Sequence, residues 1–207
     1  MQLFSIVAVA SSAGDLEAVA ELLSALPPTW DEAFVIVQHF DPRRRNIPLD
    51  DALAKRTSHP VVLAHDGVVP EPGRIYVTRV NVTLTISDGR ISVAPGASAS
   101  QGPADALLTS LATDRGSRAI GIVLSGGGSD GGLGIQAISK AGGATFAQYP
   151  GSARFPSMPI SAIETGCVGS VLRPNEIAQA LTRLRRRTER PVEVARPVCV
   201  AAVLRAG

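Results

Sequence analysis

Cysteine, histidine, lysine and aromatic residues are all scarce in this sequence. Its 207 residues include two cysteines, three histidines and two lysines, and aromatic residues make up 4% of the chain. Two cysteines, Cys167 and Cys199, are too few for a disulfide framework or a cysteine-rich metal centre. We therefore expect no metal site and no cofactor, and we expect a cytoplasmic location, where thiols stay reduced.

Long hydrophobic runs are also missing. The apolar stretch at the start lies within MQLFSIVAVASS and spans about ten residues, roughly half of what a membrane-crossing helix needs. No basic residue precedes it, which argues against a signal peptide. We interpret it as a buried first strand and expect no insertion into a membrane.

A large excess of charge of either sign is absent as well. The 20 basic and 18 acidic residues give a net charge of +2, which argues against a nucleic acid as partner. Arginines concentrate near the end, where residues 181–207 hold seven of them against two glutamates. The length suits one domain. We predict that domain over residues 1–187, followed by a basic tail over 188–207 that is either flexible or an extra edge strand.

Continuous apolar runs alternate with amphipathic stretches along most of the chain. Such runs are typical of strands that are buried on both faces of a parallel sheet. The pattern predicts an α/β fold with three layers, a doubly wound and mostly parallel sheet, and an antiparallel hairpin insert. The predicted strands cover residues 4–10, 33–37, 61–63, 119–125, 144–147 and 168–171, and the predicted helices cover 16–26, 48–57, 103–113, 131–141, 159–165 and 174–187.

Between residues 66 and 94, turn signals separate three short segments that resemble strands. The dipeptides are Asp-Gly at 66–67, Pro-Gly at 72–73 and Asp-Gly at 88–89, and each favours a tight turn. We therefore predict antiparallel strands for RIYVTRV, VTLTIS and RISVA.

Polar side chains follow three of the predicted parallel strands, at the edge where ligands bind in such sheets. Ser12 follows the first strand, His39 the second, and Asp130 the strand over residues 119–125. Together they form the set needed for a nucleophile, its general base and an acid that orients the base. Each also has a structural interpretation, because Ser12 and Asp130 could cap the helices that follow and His39 could be an ordinary polar residue at a strand end.

The other two histidines are weaker candidates for the base. His59 precedes a proline at the opposite end of a predicted strand, and His65 precedes a turn. His39 is therefore the histidine that we assign to the same edge as Ser12 and Asp130.

The glycine-rich segment after residue 125 allows a second hypothesis. Gly126, Gly128 and Gly131 match the G-x-G-x-x-G pattern of dinucleotide-binding loops, between a strand and a helix. That pattern expects a carboxylate about 20 residues on, where this chain has Gln148. Such glycines also permit close backbone approach and amides that point at a developing oxyanion, so acyl transfer and nucleotide binding are both open at this point.

Three ordered motifs resemble the catalytic domain of the chemotaxis receptor methylesterase family, the CheB type. They are VAVASSAGDLEAV, VIVQHF and GIVLSGGGSDGGLGI, and the resemblance extends through DGVVPEPGRIYV and AQYPGSARFPSMPISAI to cover roughly residues 4–187. The resemblance implies a serine esterase that hydrolyses glutamate γ-methyl esters on chemoreceptors, releases methanol and can deamidate receptor glutamines. A methylated chemoreceptor or a similar helical signalling protein is then the expected partner.

The resemblance also assigns roles to individual residues. It implies Ser12 as the nucleophile, His39 as the general base and Asp130 as the acid that orients the base. Backbone amides near Ala13 and Gly127 are the expected oxyanion donors. The candidate residues for contact with the substrate are Arg43, Arg44, Arg45 and Met158. The three arginines also fit a solvated turn.

Departures from the family pattern leave a further hypothesis open. Asp15 places a carboxylate near the nucleophile loop, Gln101 stands where the family has an arginine, and Gly127 stands where the family commonly has a methionine. A catalytically inactive relative that acts as a binding module is therefore the alternative. Many family members carry a receiver domain before the catalytic domain. Because this chain starts at the catalytic strand, we expect constitutive activity or control by a separate receiver protein.

Overall fold

The computed structural model describes residues 5–12, 16–39, 49–78, 82–96 and 102–188, and these ranges contain nine strands, six α-helices and two short 3₁₀-helices. The strands are β1 (Ile6–Ser12), β2 (Ala33–His39), β3 (Val61–Leu63), β4 (Ile75–Val77), β5 (Val82–Ser87), β6 (Arg90–Pro95), β7 (Ala119–Val123), β8 (Ala144–Gln148) and β9 (Ser170–Leu172). The helices are α1 (Leu16–Ser24), α2 (Leu49–Ala54), α3 (Pro103–Arg115), α4 (Gly132–Lys140), α5 (Ser157–Glu164) and α6 (Pro174–Thr188).

Seven of the strands form one sheet in the order β3-β4-β2-β1-β7-β8-β9, and all the pairs within it are parallel. The central strand β1 begins with the apolar run IVAVA, and residues 6–10 are fully buried. A run without polar alternation is stable here because helices cover both faces of the sheet. The predicted fold class, α/β with a doubly wound and mostly parallel sheet, is confirmed.

The alternation of side chains along β1 divides the core into two layers. Ile6, Ala8 and Ala10 point into the layer that contains α3, α4, α5 and the β5–β6 hairpin. Val7 and Val9 point into the opposite layer, which contains α1, α2 and α6. Burial of each large aliphatic side chain contributes about 1.5–3 kcal/mol, so the two layers hold the sheet from both sides.

The connections on the two sides of β1 run in opposite directions across the sheet. Helix α1 leads from β1 to β2 on one side, whereas β7 lies on the other side and continues through α4 to β8. The direction of the connections therefore reverses between β1 and β7. In an open parallel sheet this reversal leaves a crevice at the carboxyl ends of the two strands, where ligands bind.

The antiparallel arrangement predicted for residues 74–80 is wrong. Strand β4 lies between β2 and β3 in the main sheet and pairs with both in parallel. Its residues Ile75, Tyr76 and Val77 are all buried, which is typical of a strand inside a parallel sheet. The antiparallel pairing predicted from the turn signals is correct only for β5 and β6, which form a separate two-stranded sheet.

Several boundaries differ from the predictions by a few residues. Strands β1 and β2 each extend two residues further than predicted, to Ser12 and His39. Residues 189–207, which are nearly all of the predicted tail, lie outside the described ranges. In the part of the chain that the structure describes, no helix is long and apolar enough to cross a lipid bilayer.

The close contact between α3 and α4 predicts the effect of two glycine substitutions. A Cβ at Gly134 would overlap the side chain of Leu108, whereas a Cβ at Gly132 would meet Thr165 and Ser161 at ordinary distances of 3.6 Å or more. We expect Gly134→Ala to lower the free energy of unfolding by about 1–3 kcal/mol through overpacking, despite the higher helix propensity of alanine. Gly132→Ala on the same helix is the control and should be neutral or stabilising. Equal stability of the two variants in urea denaturation would contradict this packing.

Candidate active site

Ser12 ends β1 in the crevice between β2 and β7. Its amide donates a hydrogen bond to the Ser125 carbonyl at 3.2 Å, and its carbonyl accepts a long one from Gln38 Nε2 at 3.5 Å. These bonds hold its backbone from both sides. The side chain is partly exposed and follows Ala8 and Ala10 in alternation, so it lies on the face of the sheet that α3, α4 and α5 cover.

His39 ends β2 beside Ser12. The two strands are parallel, and their register pairs the Cα of Ser12 with the Cα of His39. Neighbouring strands lie about 4.8 Å apart, so the register brings these two backbone positions together. The side chain of His39 lies outside the described part of the chain.

Gly126 packs directly against Ser12 at the end of β7. A Cβ at position 126 would come within 2.8 Å of the Ser12 Cβ and would overlap the sulfur of Met158. Only glycine fits there, because any side chain would displace one of these neighbours. Met158 is 2% exposed and fills the space beside Gly126. Its contact with a substrate stays a prediction.

Buried hydrogen bonds hold the segment that begins at Ser125. The Ser125 amide donates to Gln148 Oε1 at 2.8 Å, and the Ser125 hydroxyl accepts from the Phe155 amide at 2.9 Å. The Gly126 amide donates to the Phe155 carbonyl at 2.8 Å, and the Gly126 carbonyl accepts from the Met158 amide at 3.0 Å. Ser125 and Gln148 are fully buried, so these bonds are sheltered from water and join the ends of β7 and β8 to the start of α5.

Asp130 lies just before α4 but caps a different helix. Its carboxylate accepts hydrogen bonds from the amides of Ala104 at 3.0 Å and Asp105 at 2.9 Å, in the first turn of α3. The residue before α3 is Gly102, which has no side chain for capping, and a Cβ there would overlap the Asp130 carboxylate. A negative charge is stabilised at this end of a helix, where amides without helical partners converge.

Asp105 makes the reciprocal contact. Its carboxylate accepts a hydrogen bond from the Gly134 amide at 2.8 Å at the N-terminus of α4, and the amides of Gly131 and Leu133 also favour its charged form. Each of the two helices is thus capped by an aspartate outside it. Burial raises the pKa of Asp105 above its usual 3.8, and the charge of Asp130 acts in the same direction, although the hydrogen bond from Gly134 and those from the other amides of α4 lower it.

The reciprocal capping bears on the nucleotide hypothesis. A bound pyrophosphate would need the amides at the N-terminus of α4. Those amides donate to the carboxylate of Asp105, whose negative charge would also repel a phosphate. The geometry therefore argues against a nucleotide bound at this helix terminus.

The remaining predicted residues of the site are only partly described. Gly127 is exposed and lies in the loop between Gly126 and Asp130. The predicted residues that lie outside the described ranges are Ala13, Asp15, Arg43, Arg44, Arg45 and Gln101.

The two other histidines do not join this group. His59 is buried and precedes β3, at the edge of the sheet opposite to Ser12. His65 is exposed and follows β3, which is an outer strand of the sheet. Neither lies beside the end of β1.

Asp105 and Gln148 take part in the site although their sequence positions do not indicate it. An acidic residue in the first turn of a helix ordinarily interacts with its own helix terminus. Asp105 instead binds an amide 29 residues later. Gln148 ends β8, which pairs with β7. Its buried side chain is needed there because the Ser125 amide, just after β7, requires an acceptor.

Comparison with known proteins identifies relatives of this chain. The family model described as CheB methylesterase matches residues 7–181. "Protein-glutamate methylesterase/protein-glutamine glutaminase 3" of Paramagnetospirillum magneticum is 35% identical over 182 residues, which is 86% of this chain and 51% of that protein. "Protein-glutamate methylesterase/protein-glutamine glutaminase" of Yersinia pestis is 31% identical over 182 residues, which is 85% of this chain and 52% of that protein. The chain thus spans about half the length of the curated relatives it matches.

A solved structure has a similar fold. The crystal structure of the Thermotoga maritima CheB methylesterase catalytic domain matches with a TM-score of 0.78 and 26% sequence identity. The match covers 88% of this chain and 100% of that chain. The similarity therefore extends over most of the sheet and its helical layers.

Because Asp130 caps α3, its replacement should lower the stability of the fold whether or not the protein is catalytically active. Asp130→Ala removes both acceptors from the N-terminus of α3, and we expect the free energy of unfolding to fall by about 1–2 kcal/mol. Ser129→Ala changes only the exposed neighbouring side chain and should stay within about 0.5 kcal/mol of the wild type. Chemical denaturation measures both. If the two variants were equally stable, the helix would not depend on Asp130 for its cap.

The raised pKa of Asp105 predicts how stability depends on pH. The folded protein binds the Asp105 proton more tightly than the unfolded chain does, so this group makes the folded state less stable as the pH rises above 3.8. Asp105→Asn cannot titrate. The difference in free energy of unfolding, variant minus wild type, should therefore increase between about pH 4 and about pH 7. Urea denaturation at several pH values measures it, and a constant or decreasing difference would contradict the prediction.

Proposed function

The chain belongs to the CheB methylesterase family, and on this basis we propose that it is a serine hydrolase that removes methyl groups from glutamate γ-methyl esters of chemoreceptors. The observation that carries the proposal is the parallel register of β1 and β2, which pairs Ser12 with His39 at the carboxyl edge of the sheet. The substrate class comes from the family and from the names of the relatives. Those relatives are about twice as long as this chain. The substrates and partners of this chain are therefore part of the proposal.

The positions of three elements support a catalytic group of Ser12, His39 and Asp130. Ser12 lies on the face of the sheet that α3 covers, and the register pairs its Cα with the Cα of His39 at the end of the neighbouring strand. Asp130 lies on this face as well, because its carboxylate binds the start of α3. We therefore assign a nucleophile, a base and an acid that orients the base to one edge of the sheet.

Asp130 has capacity to bind the histidine although it caps α3. A carboxylate offers about four lone-pair sites, and the two amides of α3 occupy two of them. The same amides hold the carboxylate in a fixed position. We therefore assign to Asp130 the orientation of the His39 ring and the stabilisation of its protonated form.

The proposed reaction proceeds by acyl transfer. Ser12 Oγ attacks the ester carbonyl carbon while His39 accepts its proton, and a tetrahedral oxyanion forms. The bond to the methoxy group then breaks, and His39 returns the proton so that methanol leaves. Water attacks the resulting acyl-enzyme with His39 again as base, which releases Ser12 and a glutamate carboxylate.

Backbone amides are assigned to stabilise the oxyanion, at Gly127 and at Ala13. Among the described residues, no group accepts a hydrogen bond from the Gly127 amide. Apart from its chain neighbours, no described atom lies within 4 Å of where a Cβ at Gly127 would be, so the Cβ side of this residue is open. A preorganised donor beside the nucleophile supplies the stabilisation that a developing negative charge needs.

The same acyl transfer accounts for a second activity. The curated relatives are also named protein-glutamine glutaminases. Hydrolysis of a glutamine side chain differs in its leaving group, which is ammonia in place of methanol. We therefore extend the proposal to receptor glutamines, while control by a separate receiver protein stays a prediction from the sequence.

Ser12→Ala and its matched control Ser11→Ala test the nucleophile. Ser11 is buried on the other face of β1, and its hydroxyl has no partner among the described residues, so its removal breaks no hydrogen bond there. A fluorophosphonate probe should label the wild type and Ser11→Ala but not Ser12→Ala. Methanol release from a methylated chemoreceptor should fall at least about 1,000-fold in Ser12→Ala.

Two outcomes would contradict the proposal. Labelling of Ser12→Ala at the wild-type rate would exclude Ser12 as the nucleophile. Absence of labelling and of methanol release in the wild type would favour the inactive binding module instead.

A further inference from the structure

We propose that Asp105 is the positioning residue for Asp130, because it binds the start of α4 and so fixes the loop from which Asp130 reaches the catalytic histidine. The proposal rests on the proposed function, since it concerns the same catalytic group. Asp105 would act through Asp130 and would not itself touch the substrate.

The loop that carries Asp130 has few side chains to hold it. Gly126, Gly127 and Gly128 precede Asp130, and Gly131 follows it directly. Gly128 and Gly131 have φ values of +88° and +101°, a conformation that side chains other than glycine rarely adopt. Glycine loses more conformational freedom on ordering than other residues do, so contacts from outside the loop must keep it in one conformation.

Asp105 supplies such a contact on the C-terminal side of Asp130. The residue before α4 is Gly131, and no side chain of the loop caps this helix. The Asp105 carboxylate takes that role through a hydrogen bond from the Gly134 amide at 2.8 Å, and the amides of Gly131 and Leu133 also favour its charged form. Helix α4, which begins two residues after Asp130, is therefore held by the neighbouring helix α3.

The two aspartates form a closed cycle of hydrogen bonds. The Asp105 amide donates to Asp130 Oδ1 at 2.9 Å, and the Asp105 carboxylate accepts from Gly134, four residues after Asp130. Asp105 is 7% exposed, so water cannot easily replace its carboxylate. Asparagine at position 105 keeps one acceptor oxygen and replaces the other by a donating NH2 group, so Asp105→Asn weakens the cap of α4 and the Asp130 carboxylate loses its fixed position. A displacement of about 1 Å in a catalytic group is enough to reduce the rate about 100-fold.

Asp114→Asn is a matched control for Asp105→Asn. Asp114 also belongs to α3, and its carboxylate also serves a structural role, since it accepts a hydrogen bond from the Gly89 amide at 2.9 Å and pairs with Arg115 at 2.9 Å. It lies at the other end of the helix, beside the β5–β6 hairpin. The two variants therefore make the same chemical change at two structural contacts of one helix, one buried and one partly buried.

Methyl ester hydrolysis by the full chain separates positioning from a general loss of stability. We expect Asp105→Asn to lower kcat about 10- to 100-fold and to leave KM within about twofold, because only the geometry of the catalytic group changes. Asp114→Asn should leave both constants within about twofold. In a background that already carries Asp130→Asn, Asp105→Asn should change kcat less than about twofold, because its effect passes through Asp130.

Amide hydrogen exchange gives a readout that does not require activity. The Ala104 amide donates to Asp130, so a displaced carboxylate should speed its exchange about tenfold in Asp105→Asn relative to Asp114→Asn. Exchange at Leu108, further along α3, serves as the internal reference.

The outcomes distinguish the two proposals. If the wild type shows no turnover that depends on Ser12, the proposed function fails, and exchange at Ala104 still decides whether Asp105 holds Asp130. An unchanged kcat in Asp105→Asn, multiplicative effects of Asp105→Asn and Asp130→Asn, or unchanged exchange at Ala104 would each overturn the positioning role.

Discussion

The site depends above all on the parallel pairing of β1 with β2 on one side and β7 on the other. Residues 6–10 of β1 are apolar and buried on both faces, which keeps this strand at the centre of the sheet. A slip of one residue would move Ser12 into the opposite layer of the core, at the cost of burying the wrong side chains. Because parallel strands end at a common edge, the same pairing brings the ends of β1, β2 and β7 together.

The second requirement at this edge is electrostatic. Helices α3 and α4 both begin there, and each begins with amides that have no partner in its own helix. Asp130 and Asp105 satisfy these amides reciprocally, so the residue proposed for catalysis also contributes to the stability of the fold. The two carboxylates repel each other, and burial raises the pKa of Asp105 as well. The amides of the helix termini compensate for this repulsion.

The sequence predicted the fold class and most elements because strands buried on both faces have a recognisable pattern. It also predicted that Ser12 and His39 lie at the carboxyl ends of β1 and β2, and the register pairs their Cα atoms. It was wrong about β4, where dipeptides that favour turns suggested a hairpin although the strand is parallel. Turn signals report local backbone preference, whereas the partner of a strand depends on distant residues.

By itself, the sequence determined the layered α/β architecture, the order of the motifs and the likeness to the CheB methylesterase family, since periodicity and motif spacing are local properties of a chain. Only the tertiary structure decided that Asp130 caps α3, that Asp105 caps α4 in return and that Gly126 must be glycine beside Ser12. These contacts join residues that are far apart along the chain. They form because two helices begin and three strands end at the same edge, and no local sequence pattern indicates that these ends lie together.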